Sequence, residues 1–121
     1  MIITNKQGYE KPSQQISYKL RLGLREYTIA INIVEHQSGE PFLYTWEEVT
    51  FSPGTLNYGD LVSAIVKSKY TDDEMSALIN NYLLDMEDTE NKAKWEAMQS
   101  WRVEAKRQAK EILSKIETGD F

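Results

Sequence analysis

The sequence predicts an α+β fold in which a small antiparallel sheet precedes three helices. Apolar residues alternate with polar ones between residues 18 and 51, as in half-buried strands. Beyond residue 57 they recur at three- and four-residue spacing, as in amphipathic helices. The length of 121 residues suits one domain, since domains commonly have about 100–150 residues. We expect a polar, flexible N-terminal tail over residues 1–16 and a single domain over residues 17–121.

The strand region changes phase twice. Apolar residues occupy even positions from Tyr18 and odd positions from Tyr27, and the segment FLYTWEEVTF repeats this change after the turn-forming EHQSGEP. This pattern predicts an antiparallel β-hairpin or three-stranded meander over about 18–51. A two-residue turn at Ser38-Gly39 would set Ile31 opposite Trp46. The changes of phase then indicate either bulges or apolar cover on both faces.

Three helices are expected over about 58–69, 72–84 and 89–116. Asn57 is a suitable N-cap for the first helix. Thr71 and Glu74 have the spacing of a capping box at the start of the second. The third contains no Gly or Pro and would be about 42 Å long. Because its apolar stripe continues to Ile116, we expect it to project or to pack against another chain.

Composition excludes several classes of function. The chain has no cysteine, which excludes disulfides, thiolate metal sites and cysteine nucleophiles. Its single histidine, His36, cannot build the common zinc or catalytic histidine sites alone, and is expected in or beside a turn. No apolar run approaches the roughly 18–20 residues of a membrane span. The first residues lack the pattern of a signal peptide, so we expect a cytoplasmic protein without membrane contact.

Two acidic patterns have structural explanations. The segment DMEDTE (residues 85–90) could offer oxygen ligands to calcium, but it lacks the glycine of an EF-hand loop. Its carboxylates also favour the start of the third helix electrostatically. The helix pair over 58–84 resembles a helix-turn-helix in spacing, yet its second helix begins Asp-Asp-Glu, which repels phosphates. We therefore expect neither a metal nor a cofactor, and interpret both segments as scaffold.

The third helix carries the densest basic group, which comprises Arg102, Lys106, Arg107 and Lys110. Nucleic-acid binding is one interpretation, but interleaved Glu104 and Glu111 favour an ordinary charged helix face. The net charge of −5 is unevenly spread, because residues 1–88 hold seven Lys or Arg against thirteen Asp or Glu. Residues 89–117, in contrast, hold seven Lys or Arg against five Glu. An acidic body and a mildly basic C-terminal helix could favour head-to-tail association, although both are also typical of ordinary solvated surfaces.

The chain resembles a group of small uncharacterised proteins of gut Bacteroidales, encoded in prophage-like regions near tail genes. The resemblance lies in the runs LRLGLREYTIAINIVEH, FLYTWEEVTFSPGTLNYGDLVSAIVKSKYTDDEMSALINNYLLD and WEAMQSWRVEAKRQAKEIL. It covers about residues 18–113 and assigns no catalytic or binding residue. What it implies is a role in virion structure or assembly.

The sequence thus predicts a non-enzymatic structural or assembly protein, phage-derived, that is cytoplasmic or virion-associated. It would bind a protein partner, or form a homo-oligomer, through the C-terminal helix and the far end of the hairpin. The alternative is a regulatory module that binds nucleic acid through the basic face of the third helix. The predicted interface residues are Tyr44, Trp46, Trp95, Met98, Trp101 and Ile112.

Overall fold

The computed structural model describes residues 2–36 and 43–121 and confirms the α+β class. Its elements, in chain order, are β1 (Ile2–Gly8), β2 (Ile16–Arg21), β3 (Leu24–Glu35), β4 (Tyr44–Thr50), α1 (Tyr58–Lys67), α2 (Asp72–Leu84) and α3 (Thr89–Thr118). The chain forms two compact units. The sheet unit extends to Leu56 and includes Ile112–Phe121, while the helical unit is Asn57–Glu111.

Residues 2–8, which the sequence analysis assigns to a flexible tail, form an edge strand instead. The sheet order is β1-β4-β3-β2, and β1 pairs antiparallel with β4 from Ile2 opposite Thr50 to Gly8 opposite Tyr44. The prediction failed because β1 buries almost no apolar side chain and so has no alternating pattern. Its place in the sheet comes from main-chain hydrogen bonds to a strand distant in sequence, which composition does not reveal.

The first change of phase is a chain reversal. Leu22 and Gly23 form a two-residue turn between the paired residues Arg21 and Leu24. Both turn residues have a positive φ, 53° at Leu22 and 78° at Gly23, as a type I′ hairpin turn requires. The even run therefore crosses the turn, with Tyr18 and Leu20 in β2 and Leu24 already in β3, and the odd run from Tyr27 follows in β3. The three-stranded meander applies, with β1 added at the far edge.

The second change of phase involves a β-bulge. The register moves between Ile31, opposite Glu47, and Val34, opposite Thr45. Asn32 lies in this irregularity with φ of 53°, a left-handed conformation that asparagine adopts more readily than most residues. The bulge is thus one of the two explanations that the sequence pattern allowed.

The predicted strand register was wrong by one residue. Ile31 lies opposite Glu47 rather than Trp46, since the register depends on the loop and the bulge together. The expected turn at Ser38-Gly39 falls outside the described residues.

The largest buried side chains of the sheet unit lie on one face of the sheet. Tyr27, Ile29 and Ile31 occupy alternate positions of β3 and are buried, as is Val49 opposite Ile29. Ile112, in the last turns of α3, belongs to this unit and is also buried. The C-terminal segment contacts the sheet side of the unit, because Lys115 Nζ donates to Gln15 Oε1 at 3.3 Å.

In the helical unit the predicted caps are confirmed. Asn57 Oδ1 accepts from the Asp60 amide at 2.8 Å, and Thr71 with Glu74 forms the capping box. The third helix begins behind Asp88, whose Oδ1 accepts from the Asn91 amide at 2.9 Å. Its 30 residues give a length of about 45 Å. Among the described residues, no helix is both long and apolar enough to span a membrane.

Candidate protein-contact surfaces

Two of the predicted interface residues lie in the core. Met98 and Ile112 are 0% and 1% exposed, so in the folded chain they have no surface to offer a partner. The prediction of contacts through these two side chains is therefore wrong for the folded chain. Their three- and four-residue spacing marks the buried stripe of α3, which a sequence pattern does not distinguish from an interface stripe.

Trp101 joins two helices of the helical unit. Its Nε1–H donates to the Ile65 carbonyl at 3.2 Å, and the Lys69 ammonium lies 4.0 Å from the ring centroid. A half-buried tryptophan with its polar atom bonded inside the same unit serves packing first. The structure thus gives Trp101 an internal role in holding α3 against α1.

Trp95 has a similar role further along α3. Its ring stacks on Tyr82 of α2, with centroids 4.4 Å apart and planes inclined by 15°. The side chain is half-buried. The stacked pair holds α2 and α3 together near the segment that connects them.

The two predicted residues on the sheet, Tyr44 and Trp46, are half-buried in β4. Trp46 Nε1 donates to Glu48 Oε1 at 3.3 Å. A Cβ atom built on Gly8 would lie 3.5 Å from Trp46 Cη2, so the ring lies close to β1. The edge strand β1, which the sequence did not predict, therefore covers part of the apolar surface of Trp46.

The most exposed apolar group lies at the β2–β3 hairpin. Leu22 is 99% exposed and Leu20 is 69% exposed, and Leu24 is also more than half exposed. We call Leu20, Leu22 and Leu24 the leucine turn. Sequence reasoning treated these leucines as one face of a continuous strand. The missed signal was Gly23, since Leu-Gly separates two runs of strand residues by a two-residue turn.

Leu22 is unusual in conformation as well as in exposure. A bulky side chain at positive φ brings Cβ close to the following carbonyl oxygen and costs about 1–2 kcal/mol. The favoured residue at this position of a type I′ turn is Asn, Asp or Gly. The hairpin thus carries an apolar side chain that is both strained and almost fully exposed, and no packing against residues 2–36 or 43–121 explains it.

Cationic side chains surround the leucine turn. Arg21 and Lys19 approach the carboxylate of Glu26, at 3.0 Å and 3.5 Å. The hydrogen bond from Arg21 is the main cause that lowers the pKa of Glu26, although desolvation opposes it. Arg25 lies over the Tyr18 ring, 4.2 Å from its centroid. Two of these cations thus pair with one buried carboxylate, and residues 19–26 of the hairpin carry three cations against that single carboxylate.

A second exposed apolar group lies where α2 ends. Leu84, the last residue of α2, is 85% exposed, and Leu83 and Met86 are also more than half exposed. The carboxylates of Asp85, Glu87, Asp88 and Glu90 accompany them. We call residues 83–90 the acidic corner. No Lys, Arg or His occurs between residues 71 and 91, so this surface is strongly negative.

The described residues hold no group of three or more His, Cys, Asp or Glu side chains arranged to bind a metal ion. In the acidic corner the carboxylates of Asp85 and Asp88 are bonded locally, Asp85 to the Glu87 amide at 3.2 Å and Asp88 to the Asn91 amide.

His36 Nε2 is hydrogen-bonded to Thr45 Oγ1 at 2.7 Å, which gives the histidine a place in the β3–β4 pairing.

A groove of about 580 Å³ lies among α1, α2 and α3 of the helical unit. Val62, Val66, Met75 and Ile79 line it, and Lys67, Arg102 and Lys106 contribute cations. Lys67 pairs with Asp72 at 3.7 Å. Arg102 and Lys106 form no ion pair with any residue that the structure describes.

The basic face of α3 is partly neutralised. Arg107 bonds to Glu104 at 2.7 Å and to Glu111 at 2.9 Å. This pairing lowers the pKa of Glu104 to about 2, with the hydrogen bond from Arg107 as the largest cause. Of the four predicted basic residues, Arg107 is thus committed to carboxylates of its own helix, as the interleaved glutamates suggested.

No family model, curated protein or solved structure matches this chain.

Proposed function

We propose that the protein is a non-enzymatic structural or assembly component that acts through protein–protein contacts, and that the leucine turn is its main contact surface. One observation carries the proposal: Leu22 is almost fully exposed in a backbone conformation that disfavours leucine. Such a residue weakens the free chain, so its presence is best explained by a gain that appears only when a partner covers it.

The energetics of leucine burial favour a contact role for Leu22. Burying one leucine side chain contributes about 1.5–3 kcal/mol, which exceeds or matches the conformational cost at Leu22. Leu20 and Leu24 flank it on opposite faces of the hairpin, because Leu20 lies opposite Arg25 and Leu24 lies opposite Arg21. A partner that covers the tip of the turn would therefore bury Leu22 together with one of these two side chains. An exposed leucine alone would need no explanation, but Leu22 combines its exposure with an unfavourable φ.

The proposal moves the contact surface away from the C-terminal helix. Among the six predicted interface residues, Met98 and Ile112 are buried and the two tryptophans of α3 are engaged inside the helical unit. The phage-derived origin, and the place in the cytoplasm or a virion, belong to this proposal through the resemblance in the sequence.

The native mass in solution tests the proposal. Size-exclusion chromatography with light scattering, over a range of protein concentrations, should show species larger than the monomer. Leu22→Asn should reduce their population at least about tenfold, since the loss of one buried leucine is worth at least a factor of ten in affinity. Val103→Gln is the matched control, because Val103 is another exposed apolar residue on a different element. A monomer at every concentration would count against self-assembly.

Nucleic-acid binding by the basic face of α3 is the competing function. It is supported by Arg102 and Lys106, which have no ion pair among the described residues, and opposed by the pairing of Arg107. A gel-shift titration with generic DNA and RNA at low salt separates the two. Binding that weakens steeply with salt would favour this alternative, whereas the assembly proposal expects no shift.

A further inference from the structure

We infer that the leucine turn of one copy docks on the acidic corner of a second copy, so that the chain associates head to tail. This inference rests on the proposed function, and it identifies the partner of the leucine turn as a second copy of the chain. In such a contact the leucine turn, from the sheet unit of one molecule, meets the acidic corner, from the helical unit of a second, identical molecule.

The two surfaces match in apolar character. The leucine turn offers three exposed leucines, and the acidic corner offers Leu83, Leu84 and Met86, each at least half exposed. Together they hold six of the large apolar side chains that the fold leaves in water. Methionine is flexible and packs against surfaces of varied shape, which suits a corner that receives a protruding turn.

The charges are complementary. Lys19, Arg21 and Arg25 alternate with the three leucines along the hairpin, and Glu26 offsets part of their charge. The acidic corner has four carboxylates and no cation within residues 83–90. Opposite potentials of this kind steer the approach of two surfaces and fix their orientation.

The same charges disfavour the symmetric alternatives. Two leucine turns brought together would oppose three cations to three cations, and two acidic corners would oppose four carboxylates to four carboxylates. Like charges at close range cost free energy and suppress such pairings. Head-to-tail contact is the arrangement that covers both apolar groups and also pairs the charges.

A contact between two different surfaces does not close on itself as a two-fold dimer does. Each copy that has used its leucine turn still offers its acidic corner. The product is therefore a closed ring or an open filament, according to the rotation between successive copies. Either form suits a structural component that is present in many copies.

Two substitutions test the contact without disturbing the fold. Leu22→Asn removes the apolar side chain and creates Asn-Gly, the preferred pair for a type I′ turn. Leu84→Lys removes the apolar side chain from the corner and places a cation at the end of α2, where the helix dipole favours it. Both variants should melt no lower than the original chain, and each alone should associate at least about tenfold more weakly.

The decisive experiment mixes the two variants. The Leu22→Asn chain retains an intact corner, and the Leu84→Lys chain retains an intact leucine turn. An equimolar mixture should therefore form a one-to-one complex by light scattering, and should stop at two chains because both remaining surfaces are disabled. The doubly substituted chain is the control and should stay monomeric with either partner.

Other results would overturn the inference in distinguishable ways. If Leu22→Asn abolishes association but the mixture stays monomeric, the leucine turn binds some other surface, and only the head-to-tail inference fails. If Leu22→Asn leaves association unchanged, the proposed function at the leucine turn fails as well. If the original chain is monomeric yet sediments with anionic lipid vesicles in a Leu22-dependent manner, the cationic turn contacts membranes and both proposals are wrong.

Discussion

Leu22 has a side chain that does not suit the conformation of its own backbone. Its φ of 53° is unfavourable for leucine, and its side chain gains nothing from the fold because it is 99% exposed. Asn32 adopts the same φ but is a residue that tolerates it. Asn32 thus suits the conformation of its bulge, whereas Leu22 does not suit the conformation of its turn.

Leu22→Asn should stabilise the monomer. Relief of the left-handed strain is expected to raise the free energy of unfolding by up to about 1 kcal/mol, or a few degrees in melting temperature, about 2–5 °C. Thermal unfolding followed by circular dichroism, at a concentration where the chain is monomeric, measures the change. A lower melting temperature would show that Leu22 packs within its own chain.

Glu26 gives a second prediction at this scale, one that depends on pH. Its pKa in the folded chain is lowered from the usual 4.5, mainly by the hydrogen bond from Arg21. A lowered folded-state pKa stabilises the fold above the unfolded value, and this contribution disappears as the pH falls through the folded-state value. Glu26→Gln should therefore be less stable than the original chain at neutral pH.

The difference in stability between the two chains should narrow as the pH drops below about 4.5, the usual value for this carboxyl. Urea unfolding at several pH values measures it. Because every other carboxyl titrates equally in both chains, the comparison isolates Glu26. A constant difference from neutral to acid pH would mean that its charge is not what stabilises the hairpin.

Among the elements, those defined by local interactions were predicted best. A few neighbouring residues were enough to predict the caps at Asn57 and Thr71 and the starts of all three helices. The edge strand β1 could not be predicted in this way, because it pairs with a strand that extends from Tyr44, 36 residues beyond Gly8, to Thr50, 48 residues beyond Ile2. The Leu22-Gly23 turn was within reach of the sequence, but an uninterrupted alternation of leucines hid it.

The candidate contact surfaces also differ in how far local sequence could predict them. The apolar stripe of α3 suggested an interface, but Met98 is buried, because periodicity reports that a face is covered and not what covers it. The leucine turn and the acidic corner lie where the regular pattern ends. Leu84 departs from the stripe formed by Met75, Leu78 and Tyr82, and this departure was the available sign of exposure.

The contact of Trp101 with α1 provides a prediction for the helical unit. Trp101→Phe keeps an aromatic ring but removes the hydrogen bond to the Ile65 carbonyl, at an expected cost of about 1 kcal/mol beyond the lost area. Trp95→Phe is the matched control, since its ring stacks on Tyr82 and can still do so. Chemical unfolding should show the larger loss for Trp101→Phe; equal losses would contradict a contribution from the hydrogen bond.

At the scale of the whole molecule, charge and apolar exposure act together. The chain carries a net charge of −5, yet its most exposed leucine, Leu22, lies among cations. Uniform repulsion between copies would keep such a protein monomeric, whereas separated positive and negative surfaces attract when they are correctly oriented. The account therefore predicts association that has both an ionic and an apolar part.

Salt dependence separates these two parts. Raising the NaCl concentration from ~50 mM to ~500 mM shortens the screening length severalfold, so the association constant should fall several-fold. It should not vanish, because the burial of leucine and methionine side chains does not depend on charge pairing. Sedimentation velocity at each salt concentration measures this, and association that strengthens steadily with salt would contradict the ionic part.

The most direct test of the central claim is the native mass of the original chain compared with that of Leu22→Asn, by light scattering over the same concentrations. The original chain is expected to form species larger than a monomer, and the variant, although at least as stable, is expected to stay monomeric. Equal masses for the two chains at every concentration would contradict the claim that the leucine turn is a contact surface between copies.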